Sequence, residues 1–420
     1  MKTFFAALPL LALAACGGAS GPESAGGIAP STGGAPTPTP PPGSGGAGGG
    51  IGGGATPTPT PPPTTSQFLD VSTETSFNAI GSFQSLGITE SGNPAVLGPL
   101  LYQGNASTVR APSGTILYSP RDGIFTVTFN DGKAGVGTGA LRFQDPAHRN
   151  TAAGWGIPDF IGFKDNFNII YSRGPTNRGP NPESPEDAGR VDEISFFYQR
   201  PGIQTNFVTL AGYVRNAYEP TKNDPGLFKE RTETVFERGA TVFGAETVRS
   251  QIPVAGTASY TGGMLATMVV NTTANLRSPN YFQWINGNSR IDLDFSKSTM
   301  SVLLTGDVGS ANFAGAVLPA ATAVPGGSTF RAQAAGVINL AATAGFTGEF
   351  SSAVFTRPDG TTFVPDFTRV NPGSPIAGAN SLDGTFFGPG AVNVGGNFRI
   401  IGGTPGERID ILGAFTGAKQ

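Results

Sequence analysis

The sequence predicts an all-β protein: a small eight-stranded antiparallel barrel at the C-terminal end, preceded by a β-rich, handle-like region and led by a disordered tether. Three observations predict it. Glycine supplies 63 of the 420 residues and phenylalanine 30, and between short runs of Phe, Val, Thr and Ala the turn formers recur every ~8–12 residues, the spacing of an all-β chain. No stretch carries a long 3.6-residue apolar period. Near the end, two runs of period 2, Leu382–Phe387 and Val394–Ile401, frame Gly388-Pro389-Gly390, where Pro presets φ and Gly supplies φ > 0 for a sharp turn.

The chain opens with Lys2 and an apolar run, Phe4–Leu13, too short to span a bilayer and read as a signal peptide over residues 1–15. It ends in Leu13-Ala14-Ala15-Cys16, which resembles a bacterial lipobox. Cys16 is also the only cysteine, which excludes intrachain disulfides and cysteine-cluster metal sites. Its position predicts a lipidated first mature residue; the alternative is ordinary secretory cleavage beside a stray thiol. Gly17 rather than Asp follows it, which favours the outer membrane over retention at the inner one. Residues 16–66 are runs of Gly and Ser around two Pro-Thr ladders, Ala35–Pro42 and Ala55–Pro63. They cannot bury a core and reach on the order of 40 to 100 Å as a tether.

Residues 67–420 exceed the ~250–300 residues at which single cores stop growing. Two domains are expected, 67–250 and 251–420. In the first, Thr75–Ile80 fits one helical turn or an edge strand. Clear strands begin at Thr115–Tyr118 and Ile124–Phe129 and continue at Phe167–Ser172, Glu193–Tyr198, Phe207–Val214, Arg231–Phe236 and Thr241–Ala245. Within Ile124–Phe129, Phe125 and Val127 share one face and Ile124, Thr126 and Thr128 the other. The second domain offers segments at 256–262, 264–271, 290–295, 300–305, 311–318, 329–340, 346–355, 382–387, 394–401 and 409–415. The first two, joined by Gly262-Gly263, read as one bent strand, and one short segment reads as an edge or cap. Eight strands remain, a barrel filled by its own side chains.

The pattern F-x-G-P-x-A-x-x-x-G-G-x-F at Phe386–Phe398, the closing G-A-F-x-G-x-K at Gly413–Lys419, and Val254-Ala-Gly-Thr-Ala-Ser-Tyr-Thr-Gly262 upstream resemble the C-terminal barrel of transferrin-binding protein B-like surface lipoproteins. One departure is Asn393, where that family usually carries an acid. The resemblance implies a β handle before the barrel, which residues 115–250 fit. It also implies a non-enzymatic role in binding a partner, which in relatives is an iron-carrying host protein, a haem protein or a complement regulator.

Catalytic chemistry has little to stand on. His148, in Asp145-Pro-Ala-His148-Arg149, is the only histidine, and its loop context reads as solvated. G-x-S-x-G, P-loop and H-E-x-x-H patterns are absent, and neither cofactor nor resident metal is expected. Asp292 and Asp294 share one strand face and fit either a hard cation or, more simply, a charged outer wall opposite core-facing Ile291, Leu293 and Phe295. Glu183, Glu186 and Asp187 read as a charged loop. With 26 Lys and Arg against 29 Asp and Glu and a net charge of −3, nucleic-acid binding is excluded; without aromatic girdles the chain does not read as a membrane-spanning barrel.

The strongest candidate for a partner contact is Tyr281, Phe282 and Trp284, aromatics set among Asn280, Asn286 and Asn288 and read as a loop between barrel strands. Packing over a barrel mouth is the other reading. Trp155 is a second candidate. The sequence thus points to a lipid-anchored outer-membrane lipoprotein, exposed at the cell surface, that binds an unknown protein or solute ligand, with a link to iron or haem acquisition. The alternatives are an envelope-interaction lipoprotein with no iron role and, third, a hydrolase using Asp292 or Asp294.

Overall fold

Two antiparallel sheets account for almost all of the described chain. The structure, a computed structural model, describes residues 69, 71–90, 101–129, 140–144, 167–172, 191–199, 205–221, 231–272, 281–313, 316–317, 324–365, 380–404 and 407–420. The predicted signal peptide, Cys16 and the tether lie outside the described residues, as do His148, Trp155, Glu183, Glu186 and Asp187. Residues 62–420 form one compact unit.

The first sheet comprises β1 (Thr75–Glu90), β2 (Leu101–Ala106), β3 (Gly114–Ser119), β4 (Ile124–Phe129), β5 (Leu141–Gln144), β6 (Phe167–Ser172), β7 (Val191–Gln199), β8 (Val208–Thr221) and β9 (Arg231–Gly244). It curls in the order β5-β4-β3-β1-β9-β8-β7-β6, with β2 beside the upper half of β1. Thr75–Ile80 is not a helical turn: it opens the long strand β1, whose first residues Thr75–Ala79 pair only with β3 while Ile80 onward pairs with β9, and the handle starts there rather than near residue 115. Ser76 and Asn78 stay exposed beside buried Phe77 and Ala79, and burial on both faces begins at Ile80. Phe77 and Ala79 pack inside the curl with Phe125, Phe143, Phe196, Tyr198 and Phe243, while Ile80 packs on the other face with Val208, Leu210 and Val242. A strand buried on both faces shows no polar alternation.

The second sheet comprises β10 (Thr257–Thr272), β11 (Tyr281–Asp294), β12 (Thr299–Val308), β13 (Asn312–Phe313), β14 (Ala316–Val317), β15 (Thr329–Asn339), β16 (Gly345–Thr356), β17 (Thr362–Phe363), β18 (Ser381–Phe387), β19 (Asn393–Thr404) and β20 (Glu407–Lys419). Pairing of β10 with both β20 and β11 closes it, so that β10, β11, β12, β15, β16, β18, β19 and β20 form the predicted eight-stranded barrel. The two segments joined by Gly262-Gly263 are indeed one strand. The segment near 311–318 is the small β13–β14 hairpin, held to β11 by pairing of Phe282 with Asn312.

Alternate residues fill the barrel: Tyr260, Met264, Met268, Ile291, Leu304, Phe330, Phe346, Phe386, Phe398, Ile411 and Phe415 belong to one buried cluster. Between Gln333 and Ala334 the register of β15 against β16 shifts, leaving Ser351 as an extra residue, so Phe350, Ala353 and Phe355 all still point inward. The barrel floor is tied by the Tyr260 hydroxyl, which burial pushes up to about 12 and which donates to the carbonyl of Ala391 (2.8 Å). The Gly388-Pro389-Gly390 turn forms as its chemistry dictates. Gly388 has φ 72° and Gly390 φ 64°, and a Cβ on Gly388 would lie 2.4 Å from the Phe207 ring.

Candidate functional site: the loop-bearing end and the handle–barrel junction

Strand register gives the two-sheet unit a direction. Thr75 of β1, Gly244 of β9 and Val208 of β8 lie at one end of the handle, and Glu90, Arg231 and Thr221 at the other. In the barrel, Thr257 pairs with Asp294 at one end and Thr272 with Glu407 at the other. Contacts between the sheets align these ends: Phe207 meets Asn393 low down, and Arg238 lies over the Phe282 ring, 5.3 Å from its centroid, higher up. From the upper end leave the connections 91–100, 130–140, 173–190, 222–230, 273–280, 318–328 and 364–380; from the lower end leave 145–166, the link 245–256 between the sheets and 200–207. The lower end carries short turns, and the chain enters there through Leu69, buried beside Phe77 and Phe243.

Tyr281, Phe282 and Trp284 are not a loop. They are the first residues of β11, and the reading of them as exposed loop aromatics is corrected. Tyr281 points into the barrel. Phe282, also buried, and half-buried Trp284 point at the handle, where Trp284 packs edge-on to Phe197 with ring centroids 5.8 Å apart. Phe282 and Trp284 therefore seal the junction, and Tyr281 belongs to the barrel core. Asp292 and Asp294 stand on the outer wall, with Ile291, Leu293 and Phe295 buried behind them. Asp292 meets Arg290 (3.0 Å) and Asp294 meets Lys297 (2.9 Å). Burial pulls Asp292 up, but hydrogen bonds from Arg290 and Ser259 outweigh it and hold the carboxyl below its ordinary value. The Lys297 side-chain hydrogen bond does the same for Asp294. Among the described residues no group of three or more His, Cys, Asp and Glu is placed to hold a metal.

Sequence reasoning missed the junction. The barrel offers the outer faces of β10, β18, β19 and β20 to the handle, and Leu265, Phe387 and Ala414 join Ile80, Val208, Leu210 and Val242 in one apolar cluster. Polar contacts are set within it. The Gln84 amide donates to the carbonyl of Asp410 (2.9 Å) and accepts from the Thr267 hydroxyl (2.6 Å). The Ser82 hydroxyl donates to the carbonyl of Gly413 (3.1 Å). The Asn397 amide donates to the carbonyls of Gly81 (2.9 Å) and Ser107 (2.7 Å). Asn393, at the family's usual acidic position, accepts the N–H of Phe207 (3.1 Å). A neutral amide suffices for that bond. Such buried and half-buried polar contacts fix one docking geometry where an apolar face alone would slide.

Asp383, a carboxylate of this junction, is shifted upward, to about 6, chiefly by burial, against the lowering effects of the Val109 N–H that it accepts and of nearby Arg110. A folded-state value above the unfolded one means that protonation favours the fold. The stabilisation is complete below the ordinary carboxylate range near ~4 and is lost as pH rises through about 6. Asp383→Asn keeps the acceptor and removes the charge. Relative to that variant, the native chain is expected to gain about 2–3 kcal/mol on going from pH 8 to pH 4.5, read as the difference in urea midpoints. A difference that does not vary with pH, or that runs the other way, would refute this assignment.

The fold and junction define a class: a closed barrel and a curled handle sheet locked into one scaffold, with seven of its longer connections at one end. Neither a family model nor a curated protein matches the chain. Solved structures do align with it. One is an intact transferrin-binding protein B with N and C lobes, labelled Ap-TbpB (12% identity, 83% of this chain and 78% of that one, TM-score 0.26). Another is the isotype 1 transferrin-binding protein B of serogroup B Neisseria meningitidis (12%, 80% and 63%, TM-score 0.25). A third is described as a surface lipoprotein (11%, 81% and 99%, TM-score 0.25).

Proposed function

We propose that the chain is a non-enzymatic, lipid-anchored outer-membrane lipoprotein, exposed at the cell surface, that binds a protein ligand with the connections at the upper end of the scaffold. The observation that supports this most is polarity. The chain coming from Cys16 and its tether enters at the lower end, and seven connections of eight or more residues leave the upper end of a scaffold whose own interior is filled. Loops on a rigid frame are where binding residues concentrate, and a filled barrel leaves no room for an internal ligand. The ligand classes that the sequence resemblance implies are an iron-carrying host protein, a haem protein or a complement regulator.

Soluble residues 67–420 used as bait should retain a protein ligand, and replacing connections 173–190 and 222–230 by short Gly-Ser turns should abolish retention without lowering the melting temperature by more than a few degrees. Retention unchanged by both replacements would move binding off the handle loops. Expression that rises under iron limitation would support the iron link; indifference to iron would favour an envelope-interaction role. For the anchor, Cys16→Ser is expected to shift the protein from the membrane fraction to the soluble fraction and to eliminate fatty-acid labelling. A variant that stays in the membrane with labelling intact would refute lipidation at Cys16.

A further inference from the structure

Among the described residues five valines are the exposed large apolar side chains: Val248, Val254, Val337, Val364 and Val392. Val364 belongs to the loop-bearing end; the other four belong to the short-turn end of the barrel, with Val254 79% and Val248 62% exposed. The turns at that end are apolar as well. Leu340-Ala-Ala-Thr-Ala344 joins β15 to β16 with Ala341 and Ala342 exposed, and Gly388–Val392 exposes Pro389. Turns that face only water draw on Gly, Pro, Asn, Asp and Ser, as Arg357-Pro-Asp-Gly360 does at the opposite end.

These tips are fixed on one mouth by the segment that links the two sheets. Thr247 donates to the carbonyl of Gly388 (2.6 Å), Arg249 to that of Ala341 (2.6 Å), and the Gly256 N–H to the Ser296 hydroxyl (2.9 Å). Between them Ile252 plugs the barrel as part of its core. Arg249 and Lys419 stand exposed at the same end, beside Lys297, which is ion-paired with Asp294 (2.9 Å). Small apolar tips on a rigid frame, rimmed by long cationic side chains, match an interfacial membrane contact, in which apolar groups enter the headgroup boundary and cations stay at its surface.

We propose that the short-turn end of the barrel rests on the surface of a lipid bilayer. The proposal builds on the anchor reading, since Leu69, where the chain from Cys16 enters the folded unit, is at this same end. Each tip alone binds weakly, but a tether of about 50 residues raises the effective concentration of the surface to the millimolar range, so docked and extended states interconvert. Docking would point the long connections away from the membrane.

Two measurements test this. Unlipidated full-length chain carrying Cys16→Ser should co-sediment with phosphatidylcholine–phosphatidylglycerol vesicles, and Val254→Asp with Ala342→Asp and Val392→Asp should weaken partitioning at least tenfold, while circular dichroism confirms that the variant folds. In the acylated chain on the same vesicles, a fluorophore on Ala342→Cys should be quenched by headgroup-attached quenchers, and one on Thr362→Cys, at the opposite end, should not. Equal quenching at both positions, quenching at neither, or no vesicle binding by the unlipidated chain would overturn docking. So would burial of the residue 342 probe without vesicles together with a concentration-dependent dimer, which would assign the face to a second copy. Loss of acylation labelling with vesicle binding intact would sink the anchor reading alone.

Discussion

A chain ending before Glu407 is expected to lose the barrel altogether rather than to be weakened. Strand β20 pairs with β19 from Thr404 down to Asn393 and with β10 from Thr272 down to Tyr260, so its removal leaves two long ladders unsatisfied. It also takes Ile409, Ile411 and Phe415 from the barrel interior and Ala414 from the junction. Three large core side chains at about 2–5 kcal/mol each already match the ~5–15 kcal/mol by which a whole domain is stable. The exposed edges of β10 and β19 then template association. Size-exclusion chromatography should show aggregates and the thermal transition should vanish; a monomeric truncated chain with a cooperative melt would contradict closure by β20.

The parts of the fold legible in the sequence are those with one face in water. Ile291, Leu293 and Phe295 alternate with Asp292 and Asp294, and the structure keeps that alternation, buried against exposed. The Gly388-Pro389-Gly390 turn was readable because only a few residue types accept its backbone. Where the handle covers the barrel, the signal disappears. Tyr281-Phe-Gln-Trp-Ile285 sends Tyr281 and Ile285 inward and Phe282 and Trp284 to the handle, and aromatic residues on both faces beside three asparagines read as a sticky loop. Gln84, Asp383 and Asn397 gave no signal at all, because their partners are backbone groups more than 270 residues away in sequence. The polarity of the unit was hidden for a related reason: strand direction follows from pairing, and pairing between β1 and β9 or between β10 and β20 has no local signature.

The same junction sets the second large effect. Gln84→Leu combined with Asn397→Leu should unlock the two sheets while leaving both folded cores in place. Asn397 is the donor to the Ser107 carbonyl, and Gln84 answers both the Thr267 hydroxyl and the Asp410 carbonyl. Leucine fills similar volume and leaves those groups buried without these partners, at about 1–3 kcal/mol for each substitution, or about 2–6 kcal/mol for the pair. The barrel keeps its own interior cluster and the handle its aromatic one, so the cost falls on their coupling. The native chain is expected to unfold in urea in one transition and the double variant in two, the handle melting first. Asn397→Asp preserves shape but has no N–H to offer the Gly81 and Ser107 carbonyls, so it should destabilise at least as much as Asn397→Leu. If the double variant unfolds in a single transition at the native midpoint, the polar contacts do not hold the sheets together and the apolar cluster around Leu265, Phe387 and Ala414 does so unaided.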